Sequence, residues 1–358
     1  MTEEKKKIVF VVNPISGTQG KKAILKCVEE RIDRSVYDYK IVETLYAGHA
    51  THIAADAVKE GVHMVVAIGG DGTINEIARS LVHTDTALGI IPCGSGNGLA
   101  RHLRIPMDYK AAIDILNKGY QVCIDYGKIN EIPFFCTCGV GFDAFVSLKF
   151  ADSGKRGLLT YLENTLHESL TYQPETYEIE NEEGTVKYKA FLIACGNASQ
   201  YGNNAYIAPQ ASLTDGLMDV TILQPFTVLD VPTLSFQLFN KTIDQNSCIK
   251  TMRTKKIKIR RNNPGVFHFD GDPVMGGENL EVEIVARALN VVTTDSKEKV
   301  QNENLLQVIS EYFSGLKPKG EEFLAKRQSH LFELNRTLLR KLSKKSSFRV
   351  TFSSRILW

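Results

Sequence analysis

The fold is decided by the stretch Val65-Val66-Ala67-Ile68-Gly69-Gly70-Asp71-Gly72-Thr73-Ile74-Asn75-Glu76, in which an apolar run passes through a glycine turn into a helix-like segment. We expect a buried strand that ends at Ile68, followed by a helix that begins near Ile74. Three glycines in four positions let the backbone approach a phosphate, and Thr73 is suited to cap a helix whose N-terminal N–H groups attract anions. The stretch therefore predicts a nucleoside triphosphate site.

Asp71 is the unusual member of this turn, because a carboxylate and a phosphate repel each other. An acid placed among phosphates usually holds Mg²⁺ or orients a reacting hydroxyl group. The motif therefore predicts phosphoryl transfer rather than simple nucleotide storage.

The first part of the chain alternates β-branched runs with helix-like segments. This alternation is typical of an α/β fold with a doubly wound parallel sheet, covered by helices on both faces. We expect its strands at residues 7–13, 39–46, 64–68 and 88–91. Ligands of such sheets bind beyond the carboxyl ends of the strands, so the loops that follow the strands should converge on one crevice. Those loops span residues 13–17, 44–50, 69–73 and 92–97.

After about residue 125 the pattern changes to strands joined by short turns, with helical interruptions near 157–170 and 227–240. Such strands favour a second, mostly antiparallel β domain. We therefore expect three regions. They are a nucleotide-binding α/β domain over residues 1–125, a β-rich domain over 126–295, and a basic, partly helical extension over 296–358.

Composition places the chain among globular proteins, since 358 residues with 43% hydrophobic content suffice for two ordinary domains. No run approaches the roughly 18 apolar residues of a membrane span, and the first residues lack the apolar core of a signal peptide. We therefore expect a cytoplasmic protein. Seven cysteines without a CxxC pair predict buried, reduced thiols.

The end of the chain is strongly basic. Residues 317–358 hold 11 Lys or Arg against 3 acids, a net charge of +8, whereas the whole chain carries +2. A basic end can contact anionic lipid headgroups, nucleic acid or an acidic face of its own protein, or it can be a solvated helix. We expect no nucleic-acid partner. If the tail binds a surface, we expect peripheral contact with the inner face of a membrane.

Two further loops carry residues suited to phosphate binding. Asn13-Pro14-Ile15-Ser16-Gly17 places an amide, a hydroxyl and a glycine after the first strand, although Asn and Pro are also ordinary turn residues. Gly94-Ser95-Gly96-Asn97-Gly98 precedes a helix-like segment and forms a second glycine-rich cradle. Neither loop is a Walker A motif, because no GxxxxGK[ST] occurs.

The motifs NPxSG, GGDGTxNE and GSGNxLA, in this order and spacing, resemble those of the diacylglycerol kinase catalytic-domain family, which includes bacterial diacylglycerol kinases and eukaryotic sphingosine kinases. The resemblance continues through the second domain and covers residues 7 to about 293. Its later motifs are Gly139-Val140-Gly141-Phe142-Asp143-Ala144, Gly196-Asn197, the segment 209–220 and Phe269-Asp270-Gly271-Asp272-Pro273.

This resemblance implies that ATP binds between the two domains. Hydroxyls such as those of Thr44 and Ser95 suit phosphate or ribose, and the glycine turn offers backbone N–H groups. Lys155 and Arg156 stand where the family often places basic residues near the phosphates, although they also fit an exposed loop. The implied nucleotide-binding residues are Asn13, Pro14, Ser16, Gly17, Thr44, Gly69, Gly70, Asp71, Gly72, Thr73, Asn75, Glu76, Gly94, Ser95, Gly96, Asn97, Lys155 and Arg156.

In the family, an acid of the DGE motif accepts the proton of the acceptor hydroxyl, and the motif here reads Asp270-Gly271-Asp272. We expect Asp272 to be this base, with Asp270 as the alternative, although Asp272 is one methylene shorter than the usual glutamate. Asp71 is expected to act with Mg²⁺, and Asp125 resembles another acid of the same network. Asp125 also fits a solvated strand end.

A second metal is implied by Asp215. In the bacterial relatives, the matching aspartate and two backbone carbonyls, at Ser212 and Leu217 here, hold a structural Mg²⁺ away from the catalytic centre. Oxygen ligands from a tight loop suit this hard ion. The alternative is an ordinary Asp-Gly turn.

The acceptor is less clearly defined than the donor. Bacterial diacylglycerol kinases commonly carry an aspartate where this chain has Gly98, so their three-aspartate network is incomplete here. The resemblance implies a lipid hydroxyl at a membrane surface, with diacylglycerol or a related alcohol first and a sphingoid base as the alternative. NAD kinases share the GGDGT turn, but their NxGxLGF-like and TPTGSTA-like segments are absent. An inactive nucleotide-binding regulator and a homodimer both stay open.

Overall fold

The structure is a computed structural model that describes residues 4–16, 20–153 and 172–295. Gly17, Lys155 and Arg156, the helix expected near 157–170 and the basic extension 296–358 lie outside the described residues.

The first half of the chain forms the parallel part of a large sheet. Its strands lie in the order β2-β1-β3-β4, and every neighbouring pair is parallel. The strands are β1 Lys6–Val12, β2 Tyr37–Glu43, β3 Met64–Gly69 and β4 Ala87–Pro92. Strands β3 and β4 are buried along their whole length, as their uninterrupted apolar sequences predict. The predicted doubly wound α/β fold is confirmed.

Helices connect these strands and cover the sheet. They are α1 Lys21–Arg31, α2 His49–Lys59, α3 Asp71–Leu81, α4 Gly98–His102 and α5 Tyr109–Lys118. Helix α1 packs beside α5, and α2 packs beside α3. Because each crossover helix follows the carboxyl end of a strand, the loops that precede α1 to α4 lie at one edge of the sheet.

The same sheet continues into the second half of the chain. Strands β5 Gln121–Ile129, β6 Ile132–Phe134, β8 Glu175–Asn181, β9 Gly184–Ala190, β13 Lys256–Arg261 and β16 Asn279–Val292 extend it. Strand β16 pairs in parallel with β4 at Val291 and Leu88, and antiparallel with β5. The boundary expected at residue 125 therefore falls inside a strand of a shared sheet.

A second sheet is antiparallel throughout, which confirms the expected β-rich architecture. Its order is β12-β11-β10-β7-β14-β15. The strands are β7 Thr137–Gly141, β10 Leu192–Gly196, β11 Met218–Leu223, β12 Ile249–Thr254, β14 Gly265–Phe269 and β15 Asp272–Gly276. Val140 and Phe267 of this sheet share one apolar core with Ile179 and Ile257 of the first, so the two sheets pack face to face. Helices α6 Phe142–Ser153 and α7 Val231–Phe239 complete the fold.

The expected elements differ from the structure mainly in the second half. In the second half, the sequence predicts strands at residues 134–140, 176–180, 187–194, 218–223, 255–260 and 280–285, so β5, β12, β14 and β15 are not anticipated. Residues 134–140 are divided between β6 and β7, and residues 187–194 between β9 and β10. Charged and polar residues interrupt the apolar patterns of β5, β12 and β15. Strand β2 begins two residues before the expected residue 39, at Tyr37, and ends at Glu43. All seven cysteines are free thiols, and five of them are buried.

Gly127 of β5 offers a test of the packing of Phe134, a core side chain on the neighbouring strand β6 of the same sheet. A Cβ built there would lie 2.0 Å from the ring of Phe134, which is fully buried. We predict that Gly127→Ala lowers the free energy of unfolding by about 1–3 kcal/mol through overpacking, measured by urea denaturation. Gly277→Ala is the control, since no atom lies within 4 Å of its Cβ position. Equal stability of the two variants would contradict this packing.

Candidate active site

The two glycine-rich loops at the edge of the parallel sheet meet backbone to backbone. A Cβ built on Gly94 would lie 2.6 Å from the Cα of Gly70. One built on Gly96 would lie 2.7 Å from Oδ2 of Asp71. Only glycine permits such approach, so the two predicted cradles form one continuous surface. Ser95 is exposed at its tip.

Asp71 is the first residue of α3 and binds the second glycine loop. Its Oδ2 accepts the backbone N–H of Asn97 at 2.8 Å, and its Oδ1 accepts that of Gly98 at 2.7 Å. Burial raises the pKa of Asp71, and these two hydrogen bonds oppose the rise. The Asn97 side chain closes the loop by bonding the N–H and C=O of Gly94. Asp71 therefore orders the loop directly.

Thr73 connects α3 to the loop after β1. Its hydroxyl accepts a hydrogen bond from Nδ2 of Asn13 at 3.0 Å, while Oδ1 of Asn13 accepts from the N–H of Ile15. The Ser16 hydroxyl donates to the carbonyl of Asn13. The expected cap by Thr73 is wrong, because the helix already begins at Asp71 and its N-cap, Gly70, has no side-chain bond.

Glu76 connects α3 to the loop after β2. Its two carboxylate oxygens accept the backbone N–H groups of Gly48, at 2.9 Å, and Ala50, at 3.2 Å. These groups open helix α2, whose own N-cap is a glycine without a side chain. Thr44, at the start of this loop, is buried and its N–H bonds to Val12. Glu76 is therefore placed to hold the loop rather than a nucleotide.

Asn75 connects α3 to the second sheet through Asp270. Its Nδ2 donates to Oδ2 of Asp270 at 2.8 Å. The Asp270 carboxylate also accepts three backbone N–H groups, from Phe135 at 2.8 Å, Cys136 at 2.7 Å and Thr137 at 3.1 Å. Burial raises the pKa of Asp270, and all four bonds oppose it. With four donors on its two oxygens, Asp270 is a structural anchor, which argues against its alternative role as the base.

Asp272 begins β15, two residues after this anchor, and is exposed. Within the described part of the chain, no donor makes a hydrogen bond to its carboxylate. Partial desolvation raises its pKa. The positive charge of Arg79 lowers that pKa, whereas the negative charges of Glu76 and Asp71 raise it. Asp272 thus shares the electrostatic environment of α3 and keeps its lone pairs available for a proton.

Two family models match this chain, one to its first part and one to its second. A family model described as the diacylglycerol kinase catalytic domain matches residues 7–129, and one described as the YegS C-terminal NAD kinase beta sandwich-like domain matches residues 136–293. The probable lipid kinase YegS of Escherichia coli is 30% identical over 249 residues, which cover 68% of this chain and 82% of that protein. The chain belongs to the diacylglycerol kinase-like family of lipid kinases.

Other relatives extend the match. An uncharacterized protein of Synechocystis sp. is 28% identical over 300 residues, covering 79% of this chain and 69% of that protein. A crystal structure of a diacylglycerol kinase from Bacillus anthracis matches with a TM-score of 0.65 and 19% identity. It covers 83% of this chain and 99% of that one, which shows a shared fold.

The side chain of Asp215, at which a structural Mg²⁺ is expected, already has hydrogen-bond partners on both oxygens. Oδ1 of Asp215 accepts the N–H of Leu217 at 3.1 Å, and Oδ2 pairs with the guanidinium of Arg253. Among the described residues, no group of three or more His, Cys, Asp and Glu is arranged to hold a metal. The one side-chain ligand expected at this site is thus engaged by the chain's own arginine, an arrangement that does not fit a divalent ion on Asp215.

Asp125 anchors the loop that carries Gly216. Its side chain is fully buried. Its oxygens accept the N–H groups of Gly216 at 2.7 Å and Arg287 at 2.8 Å, and its own N–H bonds to the carbonyl of Leu213. The alternative of a solvated strand end is wrong, because the Asp125 carboxylate is buried and both of its oxygens accept hydrogen bonds.

Two arginines near the site were not predicted. Arg79 bonds Oδ1 of Asn75 through its guanidinium and lies over the ring of Phe269. Arg101 donates from Nε to the carbonyl of Gly96 at 3.2 Å. The four-residue spacing from Asn75 to Arg79 on a helix is the signal that could have found the first.

A buried polar cluster was also missed. Oδ2 of Asp143 accepts the hydroxyl of Tyr201 at 3.0 Å and lies 3.1 Å from Nε2 of His268. The loop around Tyr201 packs on the glycine cradle, since the N–H of Asn203 bonds to Gly96. Asp143 therefore connects β14 to the segment that supports the cradle.

Asp71 gives the sharpest test of the cradle. An amide in place of its carboxylate would set an NH₂ group against a backbone donor of the loop, so the cradle would lose one anchor. We predict that Asp71→Asn lowers the kinase turnover at least ~100-fold, with the fold retained by circular dichroism.

Asp56→Asn is the matched control for this variant, because Asp56 forms only an exposed ion pair with Lys59 on α2. It should leave turnover unchanged. Turnover of Asp71→Asn near that of the wild type would show that the cradle does not need this anchor.

Proposed function

We propose that this member of the family transfers the γ-phosphate of ATP to the hydroxyl of a lipid, either diacylglycerol or a related long-chain alcohol. The observation that carries the proposal is the Asp272 carboxylate. It is exposed, and within the described part of the chain no donor makes a hydrogen bond to it. Charged side chains of α3, the helix that orders both glycine loops, shift its pKa. A phosphate cradle and an available base are the two parts that phosphoryl transfer needs.

The cradle is suited to the triphosphate because its glycines expose backbone N–H groups at the start of α3. Ser95 can add a hydroxyl from its exposed position. Mg²⁺ bound with ATP would offset charge on the phosphate oxygens. Asp71 would face that ion, since each of its oxygens accepts one hydrogen bond from the loop and retains a lone pair.

Asp272 would receive the proton of the acceptor. As the acceptor oxygen forms its bond to the γ-phosphorus, the bond to the β-phosphate oxygen breaks and ADP leaves, while the hydroxyl proton passes to the carboxylate. The raised pKa of Asp272 suits this step, because a stronger base accepts the proton more readily.

A sphingoid base is the second candidate acceptor, and Gly98 favours it. The family's bacterial enzymes commonly carry aspartate there, but a Cβ on Gly98 would lie 3.2 Å from the thiol of Cys136 and 3.3 Å from the carbonyl of Gln200. An aspartate would therefore not fit without local movement. This supports an acceptor site that differs from that of the bacterial enzymes.

A kinase assay with ATP and, in parallel, diacylglycerol, sphingosine and NAD tests the proposal. We expect phosphate to appear in one of the lipids and not in NAD. Phosphorylation of NAD would contradict the proposal, and no turnover with any acceptor would support an inactive regulator.

Substitutions of Asp270 and of Asp272 should have different effects on turnover and on stability. We predict that Asp272→Asn lowers turnover at least ~100-fold and leaves the free energy of unfolding within ~0.5 kcal/mol. Asp270→Asn should lower the free energy of unfolding by about 2–4 kcal/mol, because an amide would face backbone N–H groups. Kinase assays and urea denaturation measure the two effects. A stability loss confined to Asp272→Asn would reverse the assigned roles.

The pH dependence should reveal Asp272 as the base. Activity requires its ionised form, so kcat/KM should rise with pH through its raised pKa. Because the charge of Arg79 lowers this pKa, Arg79→Met should raise it and move the acid limb of the profile to higher pH. Arg34→Met, which removes an exposed arginine packed on Tyr39, is the control. An acid limb that stays in place in Arg79→Met would argue against Asp272.

The lipid acceptor would be met at a membrane surface. Among the described residues, no helix is long and apolar enough to cross a membrane. The basic tail proposed to contact anionic lipid lies outside those residues.

A further inference from the structure

Arg253 binds the carboxylate of Asp215, the side chain at which the family resemblance implies a structural metal. Arg253 of β12 lies opposite Asp219 of β11 in the strand register. Its Nε donates to Oδ2 of Asp219 at 3.3 Å, and its Nη2 donates to Oδ2 of Asp215. One guanidinium thus joins the loop that carries Asp215 to two strands of the second sheet.

The two carboxylates are not alike. The Asp219 side chain is 12% exposed and that of Asp215 is 30% exposed. The guanidinium of Arg253 contacts both, so two neighbouring carboxylates share one positive charge that the protein itself supplies.

We propose that the guanidinium of Arg253 takes the place of a divalent cation at Asp215, so that the loop at residues 209–217 is ordered without metal. A Mg²⁺ ion on Asp215 would have to displace the guanidinium or sit beside it, and like charges this close repel strongly. Arginine also provides directed donors that a bare ion lacks. The Asp215 carboxylate is thus occupied by the protein's own cation.

The loop matters because it supports buried parts of the site. Gly216 of the loop bonds to Asp125, whose backbone carbonyl accepts from Nδ2 of Asn197. Nδ2 of Asn197 also bonds to the carbonyl of Phe135, the residue whose N–H binds Asp270. Order in the loop is therefore connected, bond by bond, to the anchor that positions Asp272. The inference does not depend on which alcohol is phosphorylated.

Thermal unfolding of the full chain without nucleotide tests the proposal. Wild-type protein should show the same midpoint in EDTA and in millimolar MgCl₂. Arg253→Met, which keeps much of the side-chain length but no charge, should lower the midpoint in EDTA by about 2–6 °C. Arg260→Met is the matched control, because Arg260 also pairs with two acids, Glu178 and Glu180, but joins no loop to the sheet. It should change the midpoint by less than about 1 °C.

Two results would overturn the proposal. One is a rise in the wild-type midpoint with MgCl₂ that Asp215→Asn abolishes, because it would place the metal on that carboxylate. The other is a midpoint of Arg253→Met equal to that of the wild type. The first result needs no arginine variant, so the proposal can be refuted even if Arg253→Met fails to fold.

Discussion

The candidate site depends on a set of hydrogen bonds made by the first six residues of α3. Asp71 holds the glycine loop after β4, and Thr73 holds Asn13 after β1. Glu76 holds the start of α2, and Asn75 holds Asp270 of the second sheet. Because a helix projects neighbouring side chains in different directions, one short segment can fix four others. The polar residues of the GGDGTxNE motif are therefore first of all the framework of the site.

This framework separates two carboxylates that the sequence places two residues apart. Asp270 receives four hydrogen bonds and is committed to holding the backbone at residues 135–137. Asp272 lies beyond the turn and is exposed. A carboxylate saturated by donors stabilises its charged form and is a poor proton acceptor, whereas a partly desolvated one without donors is a better one. Under the proposed function, Asp270 holds the backbone and Asp272 receives the proton.

The sequence was sufficient for local features and for the family. Apolar runs followed by glycine turns predicted β1, β3 and β4, and the motifs predicted which loops gather. What it could not show were partners distant along the chain. The bond from Asn75 to Asp270 spans 195 positions, and the return of β16 to β4 depends on the same kind of contact. Arg253 was missed because nothing local marks it as the partner of Asp215.

The most direct test of this account is a crystal structure with a non-hydrolysable ATP analogue and Mg²⁺. We predict that the phosphates lie at the start of α3 and against the glycine loop at residues 94–98. Among the carboxylates that accept no backbone hydrogen bond, Asp272 should lie nearest to the γ-phosphate. Asp71 should still hold Asn97 and Gly98. A γ-phosphate remote from Asp272, or a nucleotide bound away from the loops that α3 orders, would contradict the account.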